Sequence, residues 1–389
     1  MSAPSPGDPF ADIRPYRDEE VPGVIAALVR DPEFADVLLR MRLPLLARCW
    51  PGCGRWLLRL VLRRRFRGIH TVADFQALIG NQLRPHMQRV ASSLTVSGLE
   101  GLERGRGYLF IGNHRDIAMD PALVNLMLHD HGYDTVLIAI GDNLLSKRFA
   151  SDLMRINRSF IVKRGVTGRR EKLAAFQQLS GFIRHSVVDE RCSVWIAQRE
   201  GRAKDGVDVT DTAILKMLAL SRGSGQDFAT ALAALHPVPV TISYEFDPCD
   251  RDKAHELHAL RTVGEYRKAE HEDLQSIYRG IMGDKGRVHV AFGTPLAGAD
   301  LASDQTLARA IDRAILRDYR LCATHFLAHE LLHGPDPRAE KLRATLVEAD
   351  WPASEQRFRE RLAAVPAAER DIFLAMYANP LRRRLDLES

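Results

Sequence analysis

His114 stands in the run GNHRDIAMDP (112–121), with two aspartates, Asp116 and Asp120, close behind it. A neutral imidazole takes a proton from an alcohol near pH 7. A carboxylate on its other ring nitrogen fixes the tautomer and stabilises the imidazolium as it forms. No serine stands beside the histidine, so the alcohol can be a substrate's own, and the pattern suits transfer of an acyl group to a hydroxyl. The plainer alternative is a histidine at a helix start, with Asp116 or Asp120 bonding backbone amides.

Two further segments carry polar residues at strand ends. RSFIVKRG (158–165) runs an apolar stretch into Lys163 and Arg164. Paired cations at the C-terminal end of a strand suit a phosphate. WIAQREGRAKDG (195–206) runs into Glu200 and Gly201, then Arg202 and Lys204. Gly201 lets a backbone approach a ligand closely. Arg202 and Lys204 can hold an anion, and Glu200 can bind a hydroxyl.

The elements that must position these residues follow from the pattern of the chain. Short apolar runs at 94–97, 108–112, 135–140, 159–163, 193–197, 238–244 and 287–292 read as strands. Helix-like stretches at 121–131, 144–155, 171–186, 211–221 and 266–282 lie between several of them. The alternation predicts an α/β fold: a mixed central sheet flanked by helices, with helical N- and C-terminal extensions. Residues 1–20 read as a flexible tail. Residues 21–90 read as helices broken at Pro44 and Pro51-Gly52, residues 91–300 as the catalytic unit, and residues 301–389 as helical, over 304–333 and 337–378.

Taken in order, four segments resemble the glycerolipid acyltransferase superfamily: Asn-His with a nearby Asp, a Phe-Ile-x-Arg strand, Glu-Gly followed by a basic residue, and a Pro-led strand, here PVPVTISYE (237–245). The likeness is closer to the glycerol-3-phosphate acyltransferase branch than to short lysophosphatidate acyltransferases. IAIGDNLL (138–145) leading to SFIVKRG, and a closing strand GRVHVAFGTPL (286–296), carry that. The resemblance covers roughly residues 94–298 and rests on order and spacing. It implies His114 as general base for an acceptor hydroxyl that attacks an acyl thioester directly. It implies an acceptor and phosphate site from Arg164, Glu200, Gly201 and Arg202, supported by Lys163 and Lys204. The acyl donor would be acyl-CoA or acyl carrier protein, as co-substrate, and the acceptor glycerol-3-phosphate or its monoacyl form. No metal or bound cofactor is implied. The family places four residues between His and Asp. Here Asp120 has five before it and Asp116 only one. Asp120-Pro121 and the apolar helix after it favour Asp120, which then needs a one-residue bulge. Gln198-Arg199 stand where an aromatic or apolar residue is usual, so a non-glycerol lipid acceptor is the alternative.

Composition bounds the rest. At 46% hydrophobic and 27% charged, the chain of 389 residues is globular. Its net charge of +5 is unevenly spread. Between Val37 and Ala73 there is no acidic residue, and nine arginines (40, 42, 48, 55, 59, 63, 64, 65 and 67) alternate with Leu, Val, Trp50 and Trp56. That mixture suits helices lying in an anionic membrane interface, ahead of a basic helical cap or a nucleic-acid arm. No basic leader with an apolar core opens the sequence, and no apolar stretch is long enough to span a bilayer. The expectation is a cytoplasmic protein, peripheral at the cytoplasmic membrane face, with no nucleic-acid partner. Cys49, Cys53, Cys192, Cys249 and Cys322 show no paired metal spacing and read as reduced thiols. Two rivals remain. HELLH (329–333) has the form of a zinc-hydrolase helix, with Glu330 as base, His325 extending the face, and Glu340 or Glu348 as a third ligand. The other is a non-catalytic protein that binds a membrane surface. No Gly-x-Ser-x-Gly elbow or P-loop occurs.

Overall fold

The computed structural model describes residues 7–43, 48, 50–145, 147–269, 272–346 and 350–387. The chain divides into two compact units. One is Met1–Arg84 with Val136–Phe182, and the other is Pro85–Thr135 with Ile183–Ser389. The units cut across the division into successive segments read from the sequence, because residues 136–182 cluster with the N-terminal helices.

In the first unit, helix Val21–Arg30 buries Val21, Ile25, Leu28 and Val29. Their spacing by four, three and one residues makes a single stripe. That stripe joins Phe34, Leu62, Phe75 and Ile156 in one core. Asp31 caps the next helix, Pro32–Arg42, accepting from the Phe34 amide at 2.9 Å, and Pro32 opens it without losing a needed donor. Helix Pro51–Arg65 also begins at a proline. Pro44 and Cys49 lie outside the described residues. Strands β3 (Leu137–Gly141) and β4 (Ser159–Val162) pair in parallel. The flexible tail expected at 1–20 needs correction from residue 8 onward. Ile13 is buried, its carbonyl accepts from the Ile161 amide of β4, and Arg14 ties Asp8 to Glu20. A polar composition hid one apolar anchor and a set of local ion pairs. Residues 1–6 lie outside the described residues.

The second unit holds the other strands in the order β1 (Ala91–Ser97), β7 (Gly286–Phe292), β6 (Pro237–Tyr244), β2 (Leu109–Gly112), β5 (Val194–Ala197). β2 is parallel to β5 and β6, β1 is parallel to β7, and β6 and β7 are antiparallel, so the sheet is mixed. Leu109, Phe110 and Ile111 are buried on both faces of β2, which explains its unbroken apolar run. All seven anticipated strands are present, and the α/β class with helical ends holds.

The helical readings differ in several places, and the helix expected at 266–282 begins only at Glu272. The stretch expected at 304–333 is two helices, Asp304–Asp318 and Ala323–His333. The chain turns between them because the Arg320 amide bonds Ser243 Oγ at 2.9 Å. The stretch expected at 337–378 is three helices, Pro337–Thr345, Trp351–Ala363 and Arg370–Leu387. Helices Phe228–Ala233 and Asp250–Thr262 were not anticipated. The second of these buries Asp250 and Lys253, which are ion-paired to Arg361 and Asp247, so it lacks the apolar stripe that marks a helix in sequence. The C-terminal helices build a core of Phe246, Leu327, Phe358, Phe373 and Tyr377.

Candidate active site

β2 ends at Gly112, and Asn113 continues its pairing by side chain. Its Nδ2 donates to the Ile242 carbonyl at 3.0 Å, and its Oδ1 accepts from the Ile242 amide at 2.8 Å. The next residue, His114, therefore leaves the C-terminal end of the sheet in a set direction. Its Nδ1 lies 2.9 Å from Asp120 Oδ2. A carboxylate only accepts, so Nδ1 carries the proton and the lone pair sits on Nε2. Trp195 packs edge-on against the imidazole, with centroids 5.8 Å apart, and the His114 side chain keeps 16% exposure.

Asp120 is fully buried and held from several sides. Oδ2 also accepts from the amides of Arg115 at 2.6 Å and Asp116 at 2.9 Å, and Oδ1 accepts from the Tyr244 hydroxyl at 2.7 Å. Burial and the carboxylates of Asp120 and Asp116 hold the Tyr244 hydroxyl well above its ordinary pKa, so it remains a donor. Asp120 also sits in the first turn of helix Met119–Asp130, where the helix dipole favours a negative charge. Asp116, the other candidate, does not partner His114. Its Oδ1 accepts from the amides of Ala118 at 3.0 Å and Met119 at 2.9 Å, capping the turn that supplies the extra residue. Burial, then the nearby Asp120 charge, raises the pKa of Asp116.

The loop after β5 lies beside the histidine. The Gln198 amide donates to the Gly112 carbonyl and the Ala203 amide to the His114 carbonyl, each at 2.8 Å. Glu200 and Gly201 are exposed, and Arg202 and Lys204 are half-buried. Gly201 has φ +75°, a left-handed conformation that glycine adopts at little cost, and a Cβ there would meet open space. Lys204 is ion-paired to Glu256. The second unit thus brings together His114, Asp120 and the 200–204 loop. Lys163 and Arg164 belong to the first unit. There Lys163 bonds Asp12 Oδ2 at 2.5 Å and Gln178 Oε1 at 3.0 Å, and the Arg164 amide donates to Asp142 Oδ1 at 3.1 Å.

Residues 93–243 match the protein-family model described as Acyltransferase. Over those residues the chain is similar to the acyltransferase family. No curated protein sequence matches it. One solved structure with a similar chain is the 1-acyl-sn-glycerophosphate (LPA) acyltransferase PlsC from Thermotoga maritima. It is 14% identical, with 82% of this chain and all of that one covered, at a TM-score of 0.36.

Several residues that shape this candidate site were not singled out in the sequence. Tyr244 closes a wholly buried strand with a hydroxyl, and such a hydroxyl needs a partner. Lys253 is buried and donates to the Arg115 carbonyl at 2.7 Å, holding the chain just past His114. Trp195 depends on Gly112, because a Cβ there would lie 2.7 Å from the indole nitrogen and 3.3 Å from the Val240 carbonyl. Gly112→Ala should therefore lose about 1–3 kcal/mol of stability and displace the indole that supports His114. Denaturant melts with turnover assays check this, and an unchanged midpoint with full activity would refute it.

HELLH lies on helix Ala323–His333. His325 and His329 are buried, whereas Glu330 and His333 are exposed. His325 Nδ1 accepts from the Cys322 amide at 2.9 Å, and burial lowers the pKa of His325 to about 3. His329 Nε2 lies 3.6 Å from Asp336. Among the described residues, no group of three His, Cys, Asp or Glu side chains could hold a metal ion. Glu348 lies outside the described residues. Cys53, Cys249 and Cys322 are free thiols, and burial pushes those of Cys249 and Cys322 up to about 12.

Proposed function

We propose that this acyltransferase moves a fatty acyl group from a thioester donor, acyl-CoA or acyl carrier protein, to a hydroxyl of glycerol-3-phosphate or 1-acylglycerol-3-phosphate. The reaction would serve phospholipid biosynthesis. The observation that carries this reading is the His114–Asp120 pair, with Nδ1 on the carboxylate and Nε2 left for an incoming hydroxyl. His114 Nε2 takes the hydroxyl proton as the acceptor oxygen attacks the thioester carbonyl. The tetrahedral intermediate collapses, the C–S bond breaks, and the leaving thiolate takes the proton from the imidazolium. Asp120 stabilises that imidazolium while it lasts. Arg202 and Glu200, on the loop tied to His114, are the acceptor contacts of the second unit. Gly201 gives the acceptor room at the backbone. The family resemblance also implies Arg164 and Lys163 as phosphate contacts.

The same proposal places the enzyme on an anionic membrane at its cytoplasmic face. Among the described residues, no helix is long and apolar enough to cross a bilayer. Trp50 and Trp56 are about two-thirds exposed, Leu57, Leu60 and Val61 are exposed too, and helix Pro51–Arg65 ends in Arg63, Arg64 and Arg65. Exposed Trp and Leu beside arginines are the composition of an interfacial helix. Reversing the charge of these three arginines should weaken binding to anionic vesicles by about 1 kcal/mol per charge removed or more. Vesicle sedimentation reads the effect, and unchanged binding would remove the membrane claim.

The deciding assay is thioester consumption by purified protein with vesicles, offering acyl-CoA and acyl carrier protein against each acceptor. Acceptor-dependent turnover that His114→Ala abolishes supports the reading, and the better acceptor names the step. Turnover only with a lipid that lacks phosphate would overturn the acceptor assignment while leaving the reaction type.

A further inference from the structure

The loop that carries Glu200, Gly201, Arg202 and Lys204 is gripped by a helix more than a hundred residues beyond the acyltransferase match. Its base is closed by the Asp211 amide on the Gln198 carbonyl at 2.9 Å. Its far side rests on helix Arg370–Leu387. Asn379 Nδ2 donates to the Asp205 carbonyl at 2.7 Å, and Arg383 donates to the Asp208 carbonyl. Between these contacts the Met376 carbonyl is pressed so closely against Gly206, at φ +76°, that a Cβ at Gly206 would fall on it. Met376, Asn379 and Arg383 are spaced by three and four residues and so share one helix face.

Pro380 explains why that carbonyl is available. It lies inside the helix, four residues after Met376, and has no N–H to give the Met376 carbonyl. The loop is tied from the histidine side as well. Arg115, next to His114, donates to the Gly206 carbonyl at 3.3 Å and to Asp208 at 2.5 Å. Asp312 of helix Asp304–Asp318 accepts from Thr210 twice, at 2.8 Å from the amide and 2.6 Å from the hydroxyl.

We infer that helix Arg370–Leu387 is the template that sets the acceptor loop against His114, with Asn379 and Arg383 as positioning residues that act through the backbone of Asp205 and Asp208. The inference rests on the reading that this loop binds the acceptor. Neither residue touches His114 or Asp120, so the chemistry itself is spared when they change. What is lost is the register of Glu200 and Arg202.

The test uses the full chain with acyl-CoA and whichever of glycerol-3-phosphate or 1-acylglycerol-3-phosphate the wild type turns over. Arg383→Met and Asn379→Ala should each raise the acceptor KM about tenfold, the size of one lost hydrogen bond to backbone in a partly buried site. The donor KM and kcat should stay within about twofold. Arg383→Lys, which keeps a donor, should recover much of the loss. Amide hydrogen exchange should rise at 200–208 in both variants and stay level in β2 and β5. Arg202→Ala separates the two ideas. If it leaves the acceptor KM unchanged, the acceptor reading fails and the inference falls with it. If it raises KM while Arg383→Met and Asn379→Ala do not, the helix is packing only and the inference alone is overturned. A uniform fall in kcat with a lower unfolding midpoint would overturn it too.

Discussion

His114→Ala is expected to lower kcat by about 10²–10⁴-fold, the usual worth of a positioned general base, without loss of fold. The imidazole is partly exposed, and its Nδ1 hydrogen bond runs to a carboxylate that has other donors, so its removal leaves Asp120 satisfied. The expected signature is a fall in kcat and kcat/KM together, because Nε2 takes the proton only as the acceptor oxygen attacks. Unfolding midpoints check the fold, and thioester consumption with saturating acceptor checks the rate. A variant of near-normal rate would end the mechanism proposed for this site.

Asp120 gives the second large effect, and its two substitutions should part company. Asp120→Ala strands the amides of Arg115 and Asp116 and the Tyr244 hydroxyl, all gathered on one buried carboxylate. Each unsatisfied buried group costs about 1–3 kcal/mol, enough together to remove much of a domain's stability. Asp120→Asn can keep most of the pattern. Its amide oxygen takes the place of Oδ2 for both amides and for His114 Nδ1–H, and its NH₂ group donates to the Tyr244 oxygen, whose own O–H loses its acceptor at a cost of about 1–3 kcal/mol, less than the several groups stranded by alanine. What it loses is the negative charge that stabilises the imidazolium. A charge-assisted hydrogen bond exceeds a neutral one by about 1–2 kcal/mol, so turnover should fall roughly 5- to 30-fold. Asp116→Asn offers the contrast, since Asp116 caps a turn and does not reach the histidine. Equal losses at 116 and 120 would contradict the pairing.

Much of this architecture is legible in the order of residues. Strands β1 to β7 are short β-branched or apolar runs between turn residues, and local sterics with burial on a sheet are enough to mark them. His114 and the Glu200-Gly201 turn sit where such runs end, which is where ligands meet an open α/β sheet. Charge-paired elements were harder to read. Helix Asp250–Thr262 and the segment after Asp8 are held by ion pairs and single apolar anchors, and neither produces a period that can be seen along the chain.

The sequence by itself determined the α/β class, the strands, and a histidine with carboxylates within reach. It favoured Asp120 over Asp116 but left both open, because spacing does not say which way a turn folds. Tertiary structure decided for Asp120 by bringing Tyr244 from 124 residues away to hold the carboxylate, while Asp116 went to cap the turn. It also turned Glu330 of HELLH to the surface while burying His325 and His329, and bonded Lys163 to Asp12, which had read as tail. It laid Asn379 and Arg383 against the loop of Glu200 and Arg202. Strand and helix patterns are short-range and repeat along the chain. These pairings join residues that only the packed fold brings within hydrogen-bond reach, so no local pattern records them.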